Sequence, residues 1–347
     1  MTNIYLQLLD QFDVRIPLAL ATVISATGST PQKSGSSAIF SREGLSSGTV
    51  GGGPVEEQVR QAAQKSITEG ISGLLTFDLA NDISLSEDPI CGGKMDILLD
   101  AAPGKHRRVF EQIRLSLQEG QGGILATIIN TTTISRFWLS ENSNLALPAN
   151  IRQRTEPVIA QLLSMGRKGN YTVIPASSEA EMLILEPVFP PLRLVIAGAG
   201  HIGKALSHLG KLLEFEVTVI DEREEYANRT NLPDANVVVV NDIGKAFREL
   251  KKTPDTFVVI VTRGHKCDAE ALLPCIGAEL AYLGMIGSKK KIAEMRRQFL
   301  KEGWATQEQW DHLHAPIGLP IHSQTVQEIA VSIAAQLIQV RNHEQKP

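Results

Sequence analysis

The chain has 347 residues and 37.7 kDa, the length of two ordinary domains. With 43% hydrophobic and 21% charged residues it is globular in composition, which excludes disordered, collagen-like and coiled-coil chains. Its 34 basic and 38 acidic residues leave a formal charge of −4 and a pI near 6.1, so no basic excess recommends a nucleic-acid partner.

Apolar residues at helical spacing predict a helix over Ile4 to Phe12. Leu18 to Ser25 and Ser37 to Phe40 read as strands, the first ending at the turn Thr27-Gly28-Ser29-Thr30-Pro31, the second at Arg42-Glu43-Gly44. Gly48-Thr49-Val50-Gly51-Gly52-Gly53-Pro54 then opens a helix running to Ile67, with proline at its start. Leu74 to Leu79 and Met95 to Leu99 are strands on either side of a loop holding Cys91-Gly92-Gly93. Arg107 to Leu117 is a helix, and Gly123 to Asn130 with Ile134 to Leu139 is a β-hairpin. Residues 142–169 carry no clear pattern, and 171–174 and 182–188 are strands.

Pro187 and Pro190-Pro191 interrupt the pattern, and a new rhythm begins at Leu192. Strands at 192–198, 216–220, 236–240, 257–262 and 281–286 alternate with helices, the sign of a doubly wound parallel sheet. The expectation is α/β: an N-terminal α+β domain (1–186), a proline-marked linker (187–191) and a C-terminal Rossmann-like domain (192–347). Cys91, Cys267 and Cys275 form no CxxC pair, so neither a disulfide framework nor a cysteine zinc site is expected. Unpaired thiols fit a reducing compartment, no run reaches the roughly 18 apolar residues of a membrane helix, and Asp10 and Asp13 precede the first basic residue, the reverse of a signal peptide. A cytoplasmic protein without a membrane segment is expected.

Gly198-Ala199-Gly200-His201-Ile202-Gly203 matches G-x-G-x-x-G between a strand and a helix, and the next strand ends in Asp221, placed to reach a ribose hydroxyl. The first glycine serves the tight turn, the second the approach of a phosphate, and the third the packing of helix on strand. The helix start adds free N–H groups and a positive dipole end. Arg263-Gly264-His265 and Gly287-Ser288 follow later strands, so all three loops lie at one sheet edge, where open α/β sheets bind ligands. His201 and His265 are either general acid/base groups or ligand-shaping donors. Of Lys289, Lys290 and Lys291, at least two are expected to be solvated, because adjacent helical side chains diverge.

A second constellation lies nearer the N-terminus. Gly51-Gly52-Gly53 before a helix can offer backbone N–H groups to an anion. Glu56 sits in that helix's first turn, where a carboxylate is favoured in any case. Cys91, beside two glycines, is either a thiolate contact to a metal or a transferable sulfur, or simply a small apolar residue.

Together these motifs resemble the XdhC/CoxI family, accessory factors of xanthine dehydrogenase and related molybdenum hydroxylases. The matching pieces are ATVISATGSTPQKSGS (21–36), GTVGGGPVEE (48–57), CGGKMDILL (91–99), LVIAGAGHIGKAL (194–206), VIDER (219–223), TRGHKCDAEAL (262–272), AYLGMIGSKKK (281–291) and HAPIGLPIHSQTVQEIAVSIAAQLI (314–338). The resemblance implies a chaperone that binds the molybdenum–molybdopterin cofactor while a cysteine desulfurase supplies its sulfido ligand, then delivers it to the apo-hydroxylase. Carried over by position, the binding candidates are Gly28, Ser29, Gly51, Gly52, Gly53, Glu56, Cys91, Gly92 and Gly93 in the N-terminal half. In the C-terminal half they are Gly198, Gly200, His201, Gly203, Asp221, Arg223, Arg263, Gly264, His265, Asp268, Gly287 and Ser288. Two positions depart from the family pattern: Cys267 stands where a bulkier residue is usual, and Pro54 where many members place a cysteine. The second departure leaves Cys91 or non-covalent contacts to hold the cofactor.

Two other functions fit the nucleotide-type fingerprint: an NAD(P)-dependent oxidoreductase, and a non-catalytic nucleotide sensor. A molybdenum hydroxylase itself is excluded for this chain, which is short and lacks the cysteine sets of iron–sulfur clusters. A homodimer is expected because apolar residues from Ile329 to Val340, behind a capping box at Thr325 to Glu328, cover more than one helix face.

Overall fold

The computed structural model describes residues 3–12, 16–79, 92–130, 133–140, 147–168, 171–175 and 181–343. The chain divides into two compact units, Met1–Pro190 and Pro191–Pro347.

The first unit opens with α1 (Ile4–Phe12), then β1 (Ala19–Thr27), β2 (Ser37–Ser41), β3 (Gly44–Gly48), α2 (Gly53–Glu69), β4 (Gly73–Asp78) and β5 (Lys94–Asp100). These strands form an antiparallel sheet in the order β3-β2-β1-β5-β4. Strand alternation divides the side chains between its faces. Ala19, Ala21 and Val23 pack with Val55, Val59 and Ala63 of α2, while Leu18 and Leu20 turn to the opposite face and pack with Leu8 and Leu9 of α1. Pro54 lies in the first turn of α2, and Gly70 ends the helix in the left-handed region at φ 71°.

Next come α3 (Arg107–Gln118), β6 (Gly123–Asn130), β7 (Ile134–Leu139), α4 (Ala149–Met165), β8 (Thr172–Pro175) and β9 (Glu181–Val188). Their sheet runs β7-β6-β9-β8, all antiparallel. Ile124, Ala126 and Ile128 face Ile151 and Leu162 of α4. Leu125 faces the other way, into the cluster built around Phe110 and Trp138. Inside this unit Arg136 pairs with buried Asp100, and the Tyr5 hydroxyl donates to Glu186 Oε2 at 2.6 Å. Burial holds the Glu186 carboxyl up at about 7, against the lowering effects of the Tyr5 hydrogen bond and of Arg136. Pro187, expected in the linker, lies within β9. It pairs with Ile124 at a level where β8 has already ended, so one side of the strand needs no donor there.

The second unit is a parallel sheet in the order β12-β11-β10-β13-β14. Its strands are β10 (Arg193–Ala197), β11 (Glu216–Asp221), β12 (Val237–Val240), β13 (Thr256–Ile260) and β14 (Tyr282–Met285). The helices are α5 (His201–Leu212), α6 (Ile243–Glu249), α7 (His265–Leu272), α8 (Lys289–Lys301), α9 (Gln307–Asp311) and α10 (Val326–His343). Leu194, Ile196, Val217, Val219, Phe257 and Val259 face α5 and α10; Val195, Ala197, Val258 and Ile260 face α6, α7 and α8. Continuous apolar strands are what a sheet covered on both faces requires. The fold is therefore α/β, a Rossmann-like parallel sheet preceded by an α+β region.

Residues 325–328 form the expected capping box, with Thr325 Oγ1 accepting from Glu328 N and Glu328 Oε2 from Thr325 N. Along α10, Ala330, Ile333, Ala334 and Leu337 enter the sheet's core, with Ile329 and Val340 packed against it. Val331 stays 48% exposed. The apolar surplus behind the expected homodimer is thus largely consumed inside the unit.

Candidate functional site

The fingerprint turn sits at the carboxyl end of β10, and its three glycines do three different things. Gly198 has φ +110°, and a Cβ there would lie 2.6 Å from Val261 O, against the neighbouring strand end. A Cβ on Gly203 would lie 1.9 Å from Gly198 O, so helix and strand meet backbone to backbone. Gly200 has ordinary φ and faces open space, with no heavy atom within 4 Å of a built Cβ. It caps α5 without any side-chain hydrogen bond. Two glycines are packing requirements and the middle one borders a cradle, with bare first-turn amides beside it.

Asp221 does not point into this cradle. It is 4% exposed, its Oδ2 accepts from Ala199 N and an Arg223 guanidinium nitrogen at 2.8 Å each, and its Oδ1 accepts from Arg223 N and Nε. Burial opposes ionisation, but these hydrogen bonds from Arg223 and Ala199 prevail and hold the carboxyl below the usual aspartate range. Arg223 in turn stacks 4.2 Å from the Tyr226 ring centroid. Asp221, expected at a ribose, instead joins Arg223 in fastening the β11 end to the fingerprint turn.

At the same edge, Gly264 (φ +146°) caps α7 with open space around it, and Arg263 and His265 are exposed. Asp268 is fully buried, accepts from Thr262 Oγ1 at 2.5 Å and pairs with Lys291. It therefore ties the loop after β13 to the start of α8. Ser288 caps that helix by accepting from Lys291 N, and a Cβ on Gly287 would meet Ile292 Cδ1 at 2.8 Å. Of the three lysines, Lys289 and Lys290 are exposed and Lys291 turns inward. His201, like His265, is exposed.

In the first unit the separated glycine motifs converge. A Cβ on Gly28 would lie 3.0 Å from Gly93 Cα; one on Gly93 would lie 2.4 Å from Thr27 O and 2.7 Å from Ser29 O. A Cβ on Gly51 would lie 2.8 Å from Pro31 Cγ. The 27–31 turn, the 49–53 loop and residues 92–93 are therefore one cluster. Gly52, Gly53 and Gly92 border it with nothing within 4 Å of a Cβ, and Gly52 caps α2 without a side-chain bond. Glu56 faces inward and accepts from Thr49 Oγ1 at 2.7 Å and from Val50 N at 3.2 Å, which shapes the 49–51 loop. Cys91 lies outside the described residues. Of the other cysteines, Cys275 is buried, which pushes its thiol up to about 12, and Cys267 is raised by burial and the nearby Glu222, Glu270 and Asp268. Among the described residues no group of three or more metal-ligating side chains occurs, and no helix is long and apolar enough to cross a membrane.

Sequence reasoning missed Thr49 and Thr262, the hydroxyls that dock Glu56 and Asp268. Their signal was weak: each is one polar residue at a strand end, facing an acid six or seven residues on.

A family profile described as "XdhC Rossmann domain" matches residues 194–337, and one described as "XdhC and CoxI family" matches residues 13–78. The chain is 25% identical over 324 residues to a Bacillus subtilis (strain 168) protein named as a probable xanthine dehydrogenase subunit, covering 93% of this chain and 92% of that one. It is 37% identical over 152 residues to the Escherichia coli (strain K12) protein YqeB, covering 44% of this chain and 28% of the other. A crystal structure from Bacillus halodurans, described as a xanthine dehydrogenase, superposes with a TM-score of 0.80 at 25% identity, over 98% of this chain and 96% of that one. Profiles of one family fall on both units, and the fold agrees along the length: the chain belongs to the XdhC and CoxI family.

Proposed function

We propose that this chain is an accessory protein of a xanthine dehydrogenase-type molybdenum hydroxylase. On this reading it binds the molybdenum–molybdopterin cofactor as cargo, holds it while a cysteine desulfurase supplies the sulfido ligand, and delivers it to the apo-enzyme. The observation that carries the reading is Gly200. Between two glycines locked by packing, it alone of the fingerprint borders open space, on an uncapped helix start. Such a cradle suits the terminal phosphate of molybdopterin, or the pyrophosphate of its dinucleotide forms. Gly264 borders the same edge, and Gly52, Gly53 and Gly92 form a comparable open cluster in the first unit. The residues present fit a phosphate-bearing cargo held through backbone amides. NAD(P) has less support, because the acid that would hold a ribose is engaged by Ala199 and Arg223.

The test is native mass spectrometry of the protein mixed with purified molybdenum cofactor, with NADH as a parallel arm. Uptake of the cofactor by the wild type, and its loss in a folded Gly200→Val variant, is the expected result. A branched side chain there fills the cradle. Retention of NADH without uptake of the cofactor would replace this reading with the oxidoreductase one.

A further inference from the structure

A cavity of about 360 Å³ opens inside the first unit, between its two sheets. Its apolar wall is one cluster: Ile24 of β1, Val173 of β8, Met182 of β9, and the ring of Tyr171 just before β8. Its polar groups are Ser25 of β1, Asp96 of β5, and Ser34 from the connection between β1 and β2.

Asp96 stands opposite Ser25 in the pairing of β1 with β5. It is half-buried, and its Oδ1 accepts from Thr76 Oγ1 at 2.8 Å. Its Oδ2 has no hydrogen-bond partner among the described residues, and no cation among them pairs with it. Lys94, two residues earlier on β5, pairs with Asp78 of β4 instead. The hydroxyls of Ser25 and Ser34 are also without partners among the described residues, and neither they nor Asp96 Oδ2 is sealed from solvent. The cavity therefore presents a carboxylate and two hydroxyls to whatever enters it, against an apolar and aromatic wall. A carboxylate in that position is best met by two N–H donors side by side, one for each oxygen, since Oδ1 keeps acceptor capacity beyond its bond to Thr76.

We infer that this cavity takes the pterin ring of the cargo, an assignment that rests on the cargo reading for its ligand. The 2-amino-4-oxopyrimidine edge of a pterin carries an amino group and a ring N–H in parallel, and Asp96 accepts both. Ser25 and Ser34 meet the ring's remaining polar atoms, and Tyr171, Val173 and Met182 cover its faces. The volume falls in the range of small-ligand sites, about 300–1,000 Å³. Three residues along the same two strands, roughly 10 Å away, Gly28 meets Gly93 in the open glycine cluster. One unit thus offers a ring pocket and, beside it, the bare backbone that a polar tail requires.

The test titrates the full chain by isothermal titration calorimetry with three probes. These are pterin, lumazine, which has a 2-oxo group in place of the 2-amino group, and guanosine, which shares the pterin edge but carries a ribose. Pterin should bind saturably at one per chain, at least tenfold tighter than either of the others. Asp96→Asn can still accept from Thr76 but turns a donor toward the ring. It should weaken pterin at least tenfold and erase the preference over lumazine. Ser34→Leu, with the fold checked by circular dichroism, narrows the cavity and should weaken pterin by a similar factor. Absence of saturable pterin binding, equal affinity for lumazine, tighter binding of guanosine, or unchanged binding in Asp96→Asn would overturn the site. Native mass spectrometry with purified molybdenum cofactor separates this result from the cargo reading. Uptake by Asp96→Asn equal to wild type would overturn the pterin site and leave the cargo reading standing. Pterin binding by a wild type that takes up no cofactor would keep the pterin site and withdraw the cargo reading.

Discussion

At the residue scale, glycine identity in this chain separates packing from binding. Replacing a helical glycine by alanine ordinarily stabilises by up to about 1 kcal/mol. At Gly203 the new methyl would collide with the Gly198 carbonyl, with backbone on both sides and nothing flexible to yield. Gly203→Ala should therefore destabilise by about 3 kcal/mol. Gly200→Ala, which meets only open space, should cost less than about 1 kcal/mol. Urea midpoints of the two variants decide this, and equal shifts would contradict the division of roles. Asp268 gives a second case. Asp268→Asn keeps the shape and removes the charge opposite Lys291, whose side chain is one quarter exposed and can turn to water. The expected loss is about 2 kcal/mol, below the ~3–5 kcal/mol of a fully buried broken pair. Adding Lys291→Met should recover part of it in a double-mutant cycle.

At the scale of elements, the part-buried contact between Tyr5 of α1 and Glu186 of β9 should be sensitive to pH. Burial raises Glu186 against the hydrogen bond from Tyr5 and the charge of Arg136, and Glu186 in turn raises the neighbouring Tyr171 hydroxyl. The Glu186 folded-state pKa of about 7 exceeds the ordinary glutamate value near 4.5, so the folded chain binds more protons than the unfolded one between those values. This contribution to stability is complete below pH 4.5 and is lost as pH rises to 7. Glu186→Gln removes the titration, so its stability relative to wild type should climb by about 3 kcal/mol from pH 4.5 to pH 8. Denaturant melts across that range measure it, and a flat difference would rule out the assignment.

The same scale shows what could be read from residues. Short β-prone apolar runs exposed β1, β5 and β6, and continuous valine and isoleucine exposed β10, β11 and β13, because each of those strands has apolar partners on both faces. The stretch holding α4 was silent: Pro157 lies inside that helix, and only a thin set of residues, such as Ile151 and Leu162, enters the core. β3 reads GLSSG, a turn by composition, and becomes a strand by pairing with β2. The fingerprint glycines could be assigned their roles from spacing, since turn geometry dictates them. The engagement of Asp221 by Arg223 could not, because it depends on how two side chains two residues apart fold back on each other.

At the scale of the whole molecule, the second unit carries everything its own core needs. The clusters on the two faces of the parallel sheet draw all their buried residues from positions 194–337. A fragment of residues 191–347 should therefore fold alone and unfold cooperatively. Within it α10 is decisive. It covers one sheet face with Ala330, Ile333, Ala334 and Leu337, and Arg341 reaches back to Leu213 O at the far end of α5. Fully burying Ile333 and Leu337 contributes about 1.5–3 kcal/mol each, so with the two alanines the helix supplies roughly 5 kcal/mol. That equals the low end of a domain's whole stability, about 5–15 kcal/mol. A fragment ending at residue 325 should lose its cooperative melt and bind a hydrophobic dye, while the fragment through 347 keeps a sharp transition. Thermal unfolding followed by circular dichroism compares the two, and a cooperative transition in the shorter fragment would show that α10 is a surface addition.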